Sequence, residues 1–468
     1  MGREEEIIKE RLKKIEELRK QGVNPYPHNF EKNYNISECL KTQIGIRVKT
    51  AGRLVTKRDI GKIIFCNLRD ETGEIQLVFQ LGELKDKEMD FAKKFIDVGD
   101  FAGVEGKVFK TKTNQLSILV KKFEVLSKAI LPLPEKFHGL QDKEERYRKR
   151  YLDLIMNPEV KEVFDKREKI IYNIREILKK KGFNEVETPT LQPLYGGAEA
   201  RPFTTNLHAL DMKIYLSISP ELYLKKLIAG GYEKVFTICK NFRNEGIDRL
   251  HNPEFTMIEL YESYADYNDM MKLSENLISD LAKKICGRTQ IEYQGKKISL
   301  KPPFQRMTMK EAVKKIAKVN PEKLSAEKIN EIFEEKVQPE LIQPTFITDY
   351  PTELCPLTKE HRKDKNCVER FELFVNGGEL ANAYSELNDP IEQKKRLEKQ
   401  IETRKKAKDF DAHVEVNVID NDFVEAMSYG MPPLGGIGIG IDRLVMLLTN
   451  QNSIRDVILF PFMKPEEK

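Results

Sequence analysis

Residues 240–261 read Lys240-Asn-Phe-Arg-Asn-Glu-Gly-Ile-Asp-Arg-Leu-His-Asn-Pro-Glu-Phe-Thr-Met-Ile-Glu-Leu-Tyr261, and this stretch decides the fold. A short apolar run, Val235-Phe-Thr-Ile-Cys239, comes directly before it. The pattern predicts a strand, then a polar loop over 240–254, and then a second strand over 255–261. Two strands joined by a loop this rich in charge indicate a site as well as a fold element.

The second strand carries an unusual face. Because side chains alternate along a strand, Phe255, Met257, Glu259 and Tyr261 point to the same side. A carboxylate among such neighbours is costly to bury unless a cation or hydrogen-bond donors reach it. The face therefore fits the floor of a ligand pocket, and it fits equally an edge hairpin with a solvated Glu259.

Two acidic residues flank a second predicted turn. The run Glu372-Leu-Phe-Val-Asn-Gly-Gly-Glu379 places two carboxylates on either side of a Gly-Gly pair. Ligands of a hard cation that converge from two strands have this arrangement. In the strand that follows, Asn382, Tyr384 and Glu386 alternate and so share one face.

A third segment is a glycine-rich strand, Gly435-Gly-Ile-Gly-Ile-Gly-Ile-Asp-Arg443, which leads directly into a helix predicted over 442–448. Missing side chains let a nucleotide approach the backbone, and Arg443 in the first helical turn can meet phosphate. A glycine-rich strand more often serves packing. Together with the two preceding segments, however, it favours a ligand site.

Composition limits the class of protein. A chain of 468 residues should form two or more domains. The net charge of +5, from 80 basic and 75 acidic residues, permits a polyanionic partner without requiring one. Six cysteines without a C-x-x-C pair indicate reduced thiols and no zinc site, and the acidic N-terminus does not resemble a targeting peptide. No apolar run is long enough to span a membrane, so we expect a cytoplasmic protein.

The N-terminal third predicts a helix followed by a small barrel. Apolar residues at helical spacing predict an amphipathic helix within residues 3–20, and the repeated alternation over 44–127 predicts several short strands. The helix positions are Ile8, Leu12, Ile15 and Leu18, and the alternating positions are Ile44, Ile46, Val48, Ile64, Cys66, Leu68, Ile75, Leu77, Phe79, Leu116, Ile118 and Val120.

The same alternation points Phe65 and Gln76 outward from the barrel. A phenylalanine can stack on a base and a glutamine can read a base edge, as in the recognition of single-stranded RNA. Lys57 and Arg58 at the end of the preceding strand could hold phosphates. A single exposed aromatic residue also occurs without any function.

An apolar stripe marks one further helix. Ile170, Ile174 and Leu178 recur at helical spacing, and Gly182 ends the helix before a strand predicted over 184–187. Core packing explains the stripe. The charged segment 144–150 fits a solvated connection between domains.

These segments, in this order, resemble the three motifs of class II aminoacyl-tRNA synthetases, and among them most closely the lysyl-tRNA synthetases. The segments are Gly182-Phe-Asn-Glu-Val-Glu-Thr-Pro189, Asn241-Phe-Arg-Asn-Glu245 with His251-Asn-Pro-Glu-Phe-Thr256, and Gly438-Ile-Gly-Ile-Asp-Arg443. Further matches are Phe137-His-Gly-Leu-Gln-Asp142, Arg148-Lys-Arg-Tyr-Leu-Asp153, Gly196-Gly-Ala-Glu-Ala-Arg-Pro-Phe203 and Ile454-Arg-Asp-Val-Ile-Leu-Phe-Pro461. The resemblance covers nearly the whole chain.

The resemblance implies an α+β protein that joins a five-stranded OB-fold β-barrel to an antiparallel sheet flanked by helices. The expected divisions are an N-terminal helix and connection (1–43), an OB-fold anticodon-binding domain (44–128), a linker (129–150) and a class II catalytic domain (151–468). It also implies a homodimer formed through the first motif, and no membrane association.

The resemblance further implies a lysine–tRNA ligase, which forms lysyl-adenylate from ATP and L-lysine with Mg²⁺ and transfers lysine to the 3′ end of tRNA(Lys). Arg243 and Arg443 would be the catalytic residues. The implied ATP ligands are Arg243, Glu245, His251, Asn252, Phe255, Glu372, Glu379, Gly440 and Arg443, of which Glu372 and Glu379 would hold the metal. The implied lysine ligands are Gly197, Glu221, Arg243, Glu259, Tyr261, Asn382, Tyr384 and Glu386, and the implied anticodon ligands are Lys57, Arg58, Phe65 and Gln76.

The charge at position 386 distinguishes lysine from aspartate as the expected substrate. Aspartyl- and asparaginyl-tRNA synthetases share the three motifs, but the aspartyl enzymes carry an arginine where this chain has Glu386. A structural Glu386 paired with a nearby lysine is also possible.

A catalytically silent RNA-binding relative should have lost Arg243, Glu372, Glu379 or Arg443, and all four are present. A relative that transfers lysine to a protein would lack the barrel.

This sequence departs from the family pattern at two positions. Leu250 stands where the family usually has an arginine, so either Arg249 reaches the triphosphate or one contact is weaker. Lys57 stands where arginine is frequent, which keeps the charge but loses the planar fork.

Overall fold

The computed structural model describes residues 2–134, 140–352, 355, 357–406 and 419–466. The chain divides into two compact units, Met1–Gly139 and Leu140–Lys468. The linker predicted over 129–150 spans this boundary. Part of it, including Phe137, lies outside the described residues.

The N-terminal unit is a closed barrel with three helices. Its helices are α1 (Arg3–Lys20), α2 (Ile36–Lys41) and α3 (Asp86–Phe95). Its strands are β1 (Arg47–Asp59), β2 (Ile63–Asp70), β3 (Gly73–Gln80), β4 (Phe101–Lys110) and β5 (Leu116–Ser127). The strands close in the order β1-β2-β3-β5-β4, which confirms the predicted five-stranded barrel.

The barrel core follows the predicted alternation with one exception. Cys66, Leu68 and Leu77 are fully buried in the barrel, as the period of two requires. Ile44 and Ile46 were expected to point inward too, but they are 59% and 42% exposed. Gly45 between them has a φ of 94°, so this segment turns and β1 begins only at Arg47.

Helix α1 matches the predicted span of residues 3–20, but it contacts the unit partly through a polar residue. Ile15 and Leu18 are buried, whereas Leu12 is 43% exposed. The buried position next to it is Arg11, whose guanidinium donates to the carbonyl oxygens of Ala129 and Val98 at 3.0 and 2.9 Å. These bonds satisfy backbone groups that an apolar side chain would leave unpaired.

The C-terminal unit combines a large sheet with helices. Its helices are α4 (Lys143–Arg148), α5 (Arg150–Met156), α6 (Pro158–Lys180), α7 (Glu221–Ala229), α8 (Tyr267–Cys286), α9 (Met309–Ala312), α10 (Ala326–Ile332), α11 (Pro390–Lys406), α12 (Asn421–Ser428), α13 (Ile441–Thr449) and α14 (Ile454–Val457). Its strands are β6 (Asn184–Glu185), β7 (Leu191–Gln192), β8 (Thr204–Leu207), β9 (Met212–Leu216), β10 (Lys234–Phe242), β11 (Glu254–Ser263), β12 (Gln290–Tyr293), β13 (Lys296–Ser299), β14 (Gln305–Thr308), β15 (Thr345–Pro351), β16 (Cys367–Val375), β17 (Gly378–Ser385) and β18 (Leu434–Gly440).

Eight of these strands form one sheet in the order β14-β15-β16-β17-β18-β11-β10-β6. The strands from β15 to β10 pair antiparallel, and only the outermost pairs, β14 with β15 and β10 with β6, are parallel. Helices α6, α8 and α13 supply much of the apolar core that covers one face. The other face is therefore available for a site.

The quoted stretch folds as an antiparallel hairpin, as its pattern predicts. Strand β10 continues to Phe242, beyond the predicted end at Cys239, and the two strands pair in register from Lys234–Glu262 to Phe242–Glu254. Ile258 and Leu260 lie in the core, so the opposite side of β11 holds the face that includes Glu259.

The stripe on α6 packs into the core, with Ile170, Ile174 and Leu178 fully buried. Gly182 has a φ of 82° and ends the helical turn, as predicted. The strand after it is shorter than predicted, because β6 pairs with β10 only at Asn184 and Glu185.

The second half of the predicted linker belongs to the C-terminal unit. Its residues form α4 and the start of α5, and Tyr147 and Arg150 are buried. Arg150 donates to a carboxylate oxygen of Asp153 at 2.7 Å and to the carbonyl oxygen of Arg455 at 2.8 Å. Part of the charge cluster is therefore packed against the C-terminal unit, while Glu144 and Lys149 remain exposed.

Candidate active site

A cavity of about 470 Å³ lies on the open face of the large sheet. The residues predicted for ATP, metal and lysine all line it. They are Gly197, Glu221, Arg243, Glu245, His251, Asn252, Phe255, Glu259, Tyr261, Glu372, Glu379, Asn382, Tyr384, Glu386, Gly440 and Arg443. Segments far apart in sequence therefore meet in one place.

The glycine-rich strand β18 runs through the floor of this cavity. Gly438 stands between Glu259 on one neighbouring strand and Asn382 on the other, and Gly436 stands between Tyr261 and Tyr384. A Cβ atom on Gly436 would lie 2.2 Å from Oε1 of Glu386 and 2.4 Å from the Tyr261 ring. The glycines therefore make room for the side chains on either side.

Glu259 is buried in the floor of the cavity. The Ser219 hydroxyl donates to its Oε1 at 2.8 Å, and the Tyr261 hydroxyl donates to its Oε2 at 3.2 Å. Burial, and next the negative charge of Glu221, raise the pKa of Glu259 to about 8. The edge-hairpin alternative, with a solvated Glu259, is therefore wrong.

Beside it lies a second buried carboxylate, Glu386, together with a cation that the sequence did not single out. Nζ of Lys225 on α7 lies 2.5 Å from Oε2 of Glu386 and 2.6 Å from Oε1 of Glu221. Burial raises the pKa of Glu386 to about 8, although Lys225 acts against this shift. Oε1 of Glu386 has no hydrogen-bond partner among the described residues.

This end of the cavity is therefore short of positive charge. Glu221, Glu259 and Glu386 line this end, and among the described residues the one ammonium that pairs with any of them is that of Lys225, which lies behind the lining. Buried carboxylates of this kind are stabilised when further cations reach them. A ligand with ammonium groups fits this end, and a ligand with a side-chain carboxylate would be repelled.

Arginines line the other part of the cavity. The guanidinium of Arg243 lies 5.1 Å from the centre of the Phe255 ring, and its Nε is buried without a hydrogen-bond partner in the described part of the chain. Arg443 donates to the carbonyl oxygen of Glu379 at 2.7 Å and lies 3.2 Å from Nε2 of His251. Guanidinium groups in these positions suit an anionic ligand such as a phosphate.

Glu372 is held by two neighbours. Arg370 forms an ion pair with its Oε1, and the Tyr350 hydroxyl donates to its Oε2 at 2.8 Å. The pKa of Glu372 is raised overall. Burial is the largest cause, the positive charge of Arg370 opposes it, and the negative charge of Glu379 adds to it. Among the residues that the structure describes, no group of three or more His, Cys, Asp or Glu side chains forms a metal cage.

Arg249 lies in the loop between β10 and β11, which belongs to the second motif. Its guanidinium donates to Oε1 of Gln294 at 3.2 Å, and Leu250 packs against the core. Arg249 does not line the cavity among the described residues, so in this arrangement it does not replace the arginine that the family usually has at position 250.

In the N-terminal unit, three of the four residues predicted for RNA lie on the outer side of strands β1–β3. Arg58 stands directly opposite Phe65, and Gln76 accepts a hydrogen bond from Ser117 at 2.9 Å. Lys57 differs from the prediction, because its ammonium donates to the carbonyl oxygens at the end of α3. These acceptors are Ala92 (3.2 Å), Lys93 (2.8 Å) and Ile96 (2.6 Å). An ammonium group has three protons, so none is left for a phosphate.

Sequence reasoning missed Lys225 and Arg370 as parts of the site. Each could have been found by spacing, since Lys225 follows Glu221 by one helical turn and Arg370 lies two residues before Glu372 on the same strand face. Neither spacing indicates that the side chain is buried, because burial depends on elements that are distant in sequence.

Comparisons with known proteins agree with this geometry. The profile of the family described as tRNA synthetases class II (D, K and N) matches residues 142–464, and the profile of an OB-fold nucleic acid binding domain matches residues 48–126. A lysine–tRNA ligase of Pelotomaculum thermopropionicum is 50% identical over 496 residues, with 100% of this chain and 97% of that protein covered. A lysine–tRNA ligase of Carboxydothermus hydrogenoformans is 49% identical, with 99% of each chain covered. Lysine–tRNA ligase 2 of Methanosarcina mazei is 49% identical, with 98% of this chain and 94% of that protein covered.

Proposed function

The chain belongs to the class II tRNA synthetases (D, K and N) and ligates lysine to tRNA with ATP. We propose the following roles for the residues that line its cavity. The observation that carries the assignment is the excess of buried carboxylates at the floor: Glu221, Glu259 and Glu386 against Lys225. Lysine brings an α-ammonium and an ε-ammonium, and this part of the cavity has the complementary charge.

Lysine lies with its side chain over the glycine-rich strand. Glu221, next to Gly197, receives the α-ammonium, and Glu386 and Glu259 receive the ε-ammonium. Support comes from Oε1 of Glu386, which is buried and has no hydrogen-bond partner in the described structure. Tyr261, Asn382 and Tyr384 line the path of the aliphatic chain.

ATP lies over the arginine-lined part of the cavity. Phe255 stacks on one face of the adenine, Arg443 covers the other face and the outer phosphates, and Glu245 accepts from the adenine amino group. His251, Asn252 and Gly440 contact the nucleotide from the loop and the strand end. Support comes from the proximity of Arg443 to His251 and of Arg243 to Phe255.

Lysine activation needs stabilisation of phosphate charge and no protein nucleophile. A carboxylate oxygen of lysine forms a bond to the α-phosphorus of ATP as the bond to the β-phosphate oxygen breaks and pyrophosphate leaves. Arg243 binds both the lysine carboxylate and the α-phosphate, so it holds the reacting groups together and stabilises the added charge. A ribose hydroxyl at the 3′ end of tRNA(Lys) then attacks the carbonyl carbon of the adenylate; the bond from that carbon to the phosphate oxygen breaks, AMP leaves, and the hydroxyl proton is released.

Glu372 and Glu379 are the residues that would hold Mg²⁺. Two carboxylates on paired strands fit this ion, which usually completes its coordination with water and substrate phosphate. Bound there, Mg²⁺ supplies charge neutralisation of the phosphates. Arg370 and Tyr350 fix the Glu372 carboxylate, so that ligand is already oriented.

The barrel recognises the anticodon of tRNA(Lys). Phe65 stacks on a base, Gln76 reads a base edge through the amide nitrogen that its bond to Ser117 leaves free, and Arg58 contacts phosphate. Lys57 is not included, because its protons are used at the end of α3.

Two copies of the chain form a homodimer through the region of the first motif. Support comes from exposed apolar side chains in this region of the C-terminal unit. They are Tyr172 (57%), Leu191 (54%) and Leu210 (67%). Exposed apolar groups on this scale favour burial against a partner.

The dimer works in the cytoplasm. All six cysteines lie in the described residues and none forms a disulfide, as a reducing compartment requires. In the described part of the chain, no helix has both the length and the apolar character needed to cross a bilayer.

Lysine binding should depend on pH in a defined direction. In the empty cavity the pKa values of Glu259 and Glu386 are raised to about 8, so below pH 8 the protonated forms dominate. A bound ammonium favours the ionised forms. Lysine binding should therefore release protons, and affinity should rise between pH 6 and 8 by up to about tenfold per pH unit for each proton released.

Calorimetry in two buffers of different ionisation enthalpy measures this proton release directly. The effect should level off above pH 8, and ATP binding should show no comparable proton release. Lysine binding that releases no protons at pH 7 would contradict the assignment of Glu259 and Glu386 to the ε-ammonium.

The RNA face can be tested at Phe65. Phe65→Ala should remove about 1–3 kcal/mol of base stacking and raise the tRNA concentration needed for charging by roughly tenfold. The matched control is Phe101→Ala, which removes a half-exposed aromatic side chain from β4 of the same barrel. Charging of tRNA and exchange of ATP with pyrophosphate should both be measured. Equal loss in the two reactions would indicate unfolding, and unchanged charging would exclude Phe65 from the RNA site.

A further inference from the structure

Lys225 is a fully buried cation that lies behind the wall of the proposed lysine pocket, in contact with two carboxylates that line it. It lies on α7, with its ammonium between the carboxylates of Glu221 and Glu386 and 5.9 Å from the centre of the Tyr261 ring. Burial alone would lower the pKa of Lys225, but Glu221 and Glu386 outweigh burial and raise it. The side chain is therefore charged when the cavity is empty.

Fold stability does not account for this arrangement. Replacing a buried ion pair with well-packed apolar residues is often neutral or stabilising, so such a pair is weak evidence for a structural role. Leu224 and Ile228 of α7 are buried in an apolar cluster with Phe423, whereas Lys225 of the same helix contacts two buried carboxylates. A charged residue at this position therefore calls for a role in the pocket.

The ion pair divides the two oxygens of Glu386 between two uses. Oε2 lies 2.5 Å from Nζ of Lys225 in an ion pair, although neither Oε1 nor Oε2 of this buried carboxylate accepts a hydrogen bond of ordinary geometry from a described residue. Oε1 also faces Gly436, where the absence of a Cβ atom leaves space. Lys225 thus fixes the carboxylate in an orientation that presents one oxygen to the cavity.

The charges also balance only when Lys225 is counted. Glu221, Glu259 and Glu386 together with Lys225 carry a net charge of −2 when all are ionised. The α-ammonium and ε-ammonium of lysine bring +2, and the substrate carboxylate is paired separately with Arg243. Without Lys225 the floor would keep an uncompensated negative charge, or a carboxylate would protonate.

We infer that Lys225 is a positioning residue for lysine specificity, which holds Oε2 of Glu386 and leaves Oε1 of the same carboxylate to the substrate ε-ammonium. This inference rests on the lysine-pocket assignment proposed above. Other titratable or charged groups reach this carboxylate from every neighbouring element. They are Glu221 of α7, Glu259 and Tyr261 of β11, and Tyr384 of β17.

The test compares Lys225→Met, Glu386→Gln and the double variant by lysine-dependent ATP–pyrophosphate exchange between pH 6 and 9. Methionine keeps an unbranched side chain of similar length without its charge. Without Lys225, Glu386 protonates more readily. The KM for lysine should therefore rise about 10–10²-fold at pH 7 and recover toward pH 9, while the KM for ATP changes by less than about threefold.

The double variant separates positioning from a general effect on the fold. If Lys225 acts through Glu386, adding Lys225→Met to Glu386→Gln should cause little further loss. The double variant removes the pair of Lys225 with Glu386 but leaves Glu221 without its cation, so the thermal unfolding of all three variants is measured beside the exchange reaction. Lys226→Met is the matched control, since Lys226 is the next residue of α7 and pairs with Asp420 and Asp422 instead. Lys226→Met should leave the KM for lysine within about twofold of wild type. Substitutions at the surface, away from buried ion pairs, usually change the free energy of unfolding by no more than about 0.5 kcal/mol.

Each outcome decides between defined alternatives. A loss in Lys225→Met that is independent of pH, that extends equally to ATP, or that adds fully to the loss in Glu386→Gln would overturn the inference. So would an unchanged KM for lysine in Lys225→Met beside a large loss in Glu386→Gln, which would leave the lysine pocket intact. If Glu386→Gln itself activates lysine normally, the pocket assignment fails and the inference fails with it.

Discussion

Replacing Arg243 with alanine is expected to lower lysine-dependent ATP–pyrophosphate exchange by about 10²–10³-fold. The guanidinium is placed against Phe255, and its buried Nε lacks a partner among the described residues, so it is oriented toward a ligand that the cavity receives. In the proposed mechanism, the charge that Arg243 stabilises grows as the bond to the α-phosphorus forms. The variant should therefore lose turnover at saturating substrate concentrations, and not only affinity.

Arg288→Ala is the matched control, because Arg288 is an exposed arginine of the same unit that does not line the cavity. Binding of tRNA through the barrel should persist in Arg243→Ala. Near-normal exchange by this variant would remove Arg243 from the centre of the reaction.

Replacing Glu386 with alanine should lower lysine activation by about 10²-fold or more. Breaking a buried charge pair by removing one partner costs about 3–5 kcal/mol. Two effects act together, since the ε-ammonium loses its partner and the ammonium of Lys225 loses one of its two carboxylates and repels the substrate. The measurement is kcat/KM for lysine in the exchange reaction.

ATP affinity should change little in Glu386→Ala, because the arginines that meet the phosphates lie elsewhere in the cavity. Glu233→Ala, an exposed glutamate after α7, serves as the control. If Glu386→Ala keeps lysine activation within about threefold of wild type, a change below ~1 kcal/mol, Glu386 does not select the amino acid.

Periodicity predicted much of the fold because it reports which side of a strand or helix is buried. The face of β11 with Glu259 and the inward residues Cys66 and Leu68 of the barrel follow directly from the alternation. Ile44 and Ile46 do not, because the turn at Gly45 interrupts the extended backbone before β1 begins. A local break of this kind is not visible in an apolar pattern.

Charged residues were the harder part of the prediction. Arg11, Lys57 and Arg150 each carry a charge that a sequence pattern assigns to solvent or to a ligand, yet each donates to backbone carbonyl oxygens inside its unit. Whether a cation serves the fold or a ligand depends on which carbonyl groups lie within reach. That information comes from elements far away in the sequence.

The sequence likewise predicted some residues of the cavity and not others. The second and third motifs and the segment 372–386 supplied many of the residues that line it, since each is a continuous stretch of neighbouring strands and turns. The sequence leaves open that Glu386 pairs with a nearby lysine, which it does not identify, and the structure shows this lysine to be Lys225 of α7. The alternative does not replace the pocket assignment, because neither oxygen of Glu386 accepts a hydrogen bond from a described residue, so the ion pair with Lys225 leaves the carboxylate able to accept from a second cation.

The most direct test of the account is ATP–pyrophosphate exchange by the wild-type protein with each of the twenty amino acids in turn. The excess of buried carboxylates around Lys225 predicts strong exchange with L-lysine, and none above background with aspartate or asparagine. Exchange that is as strong with aspartate or asparagine as with lysine, or no exchange with any amino acid, would contradict it.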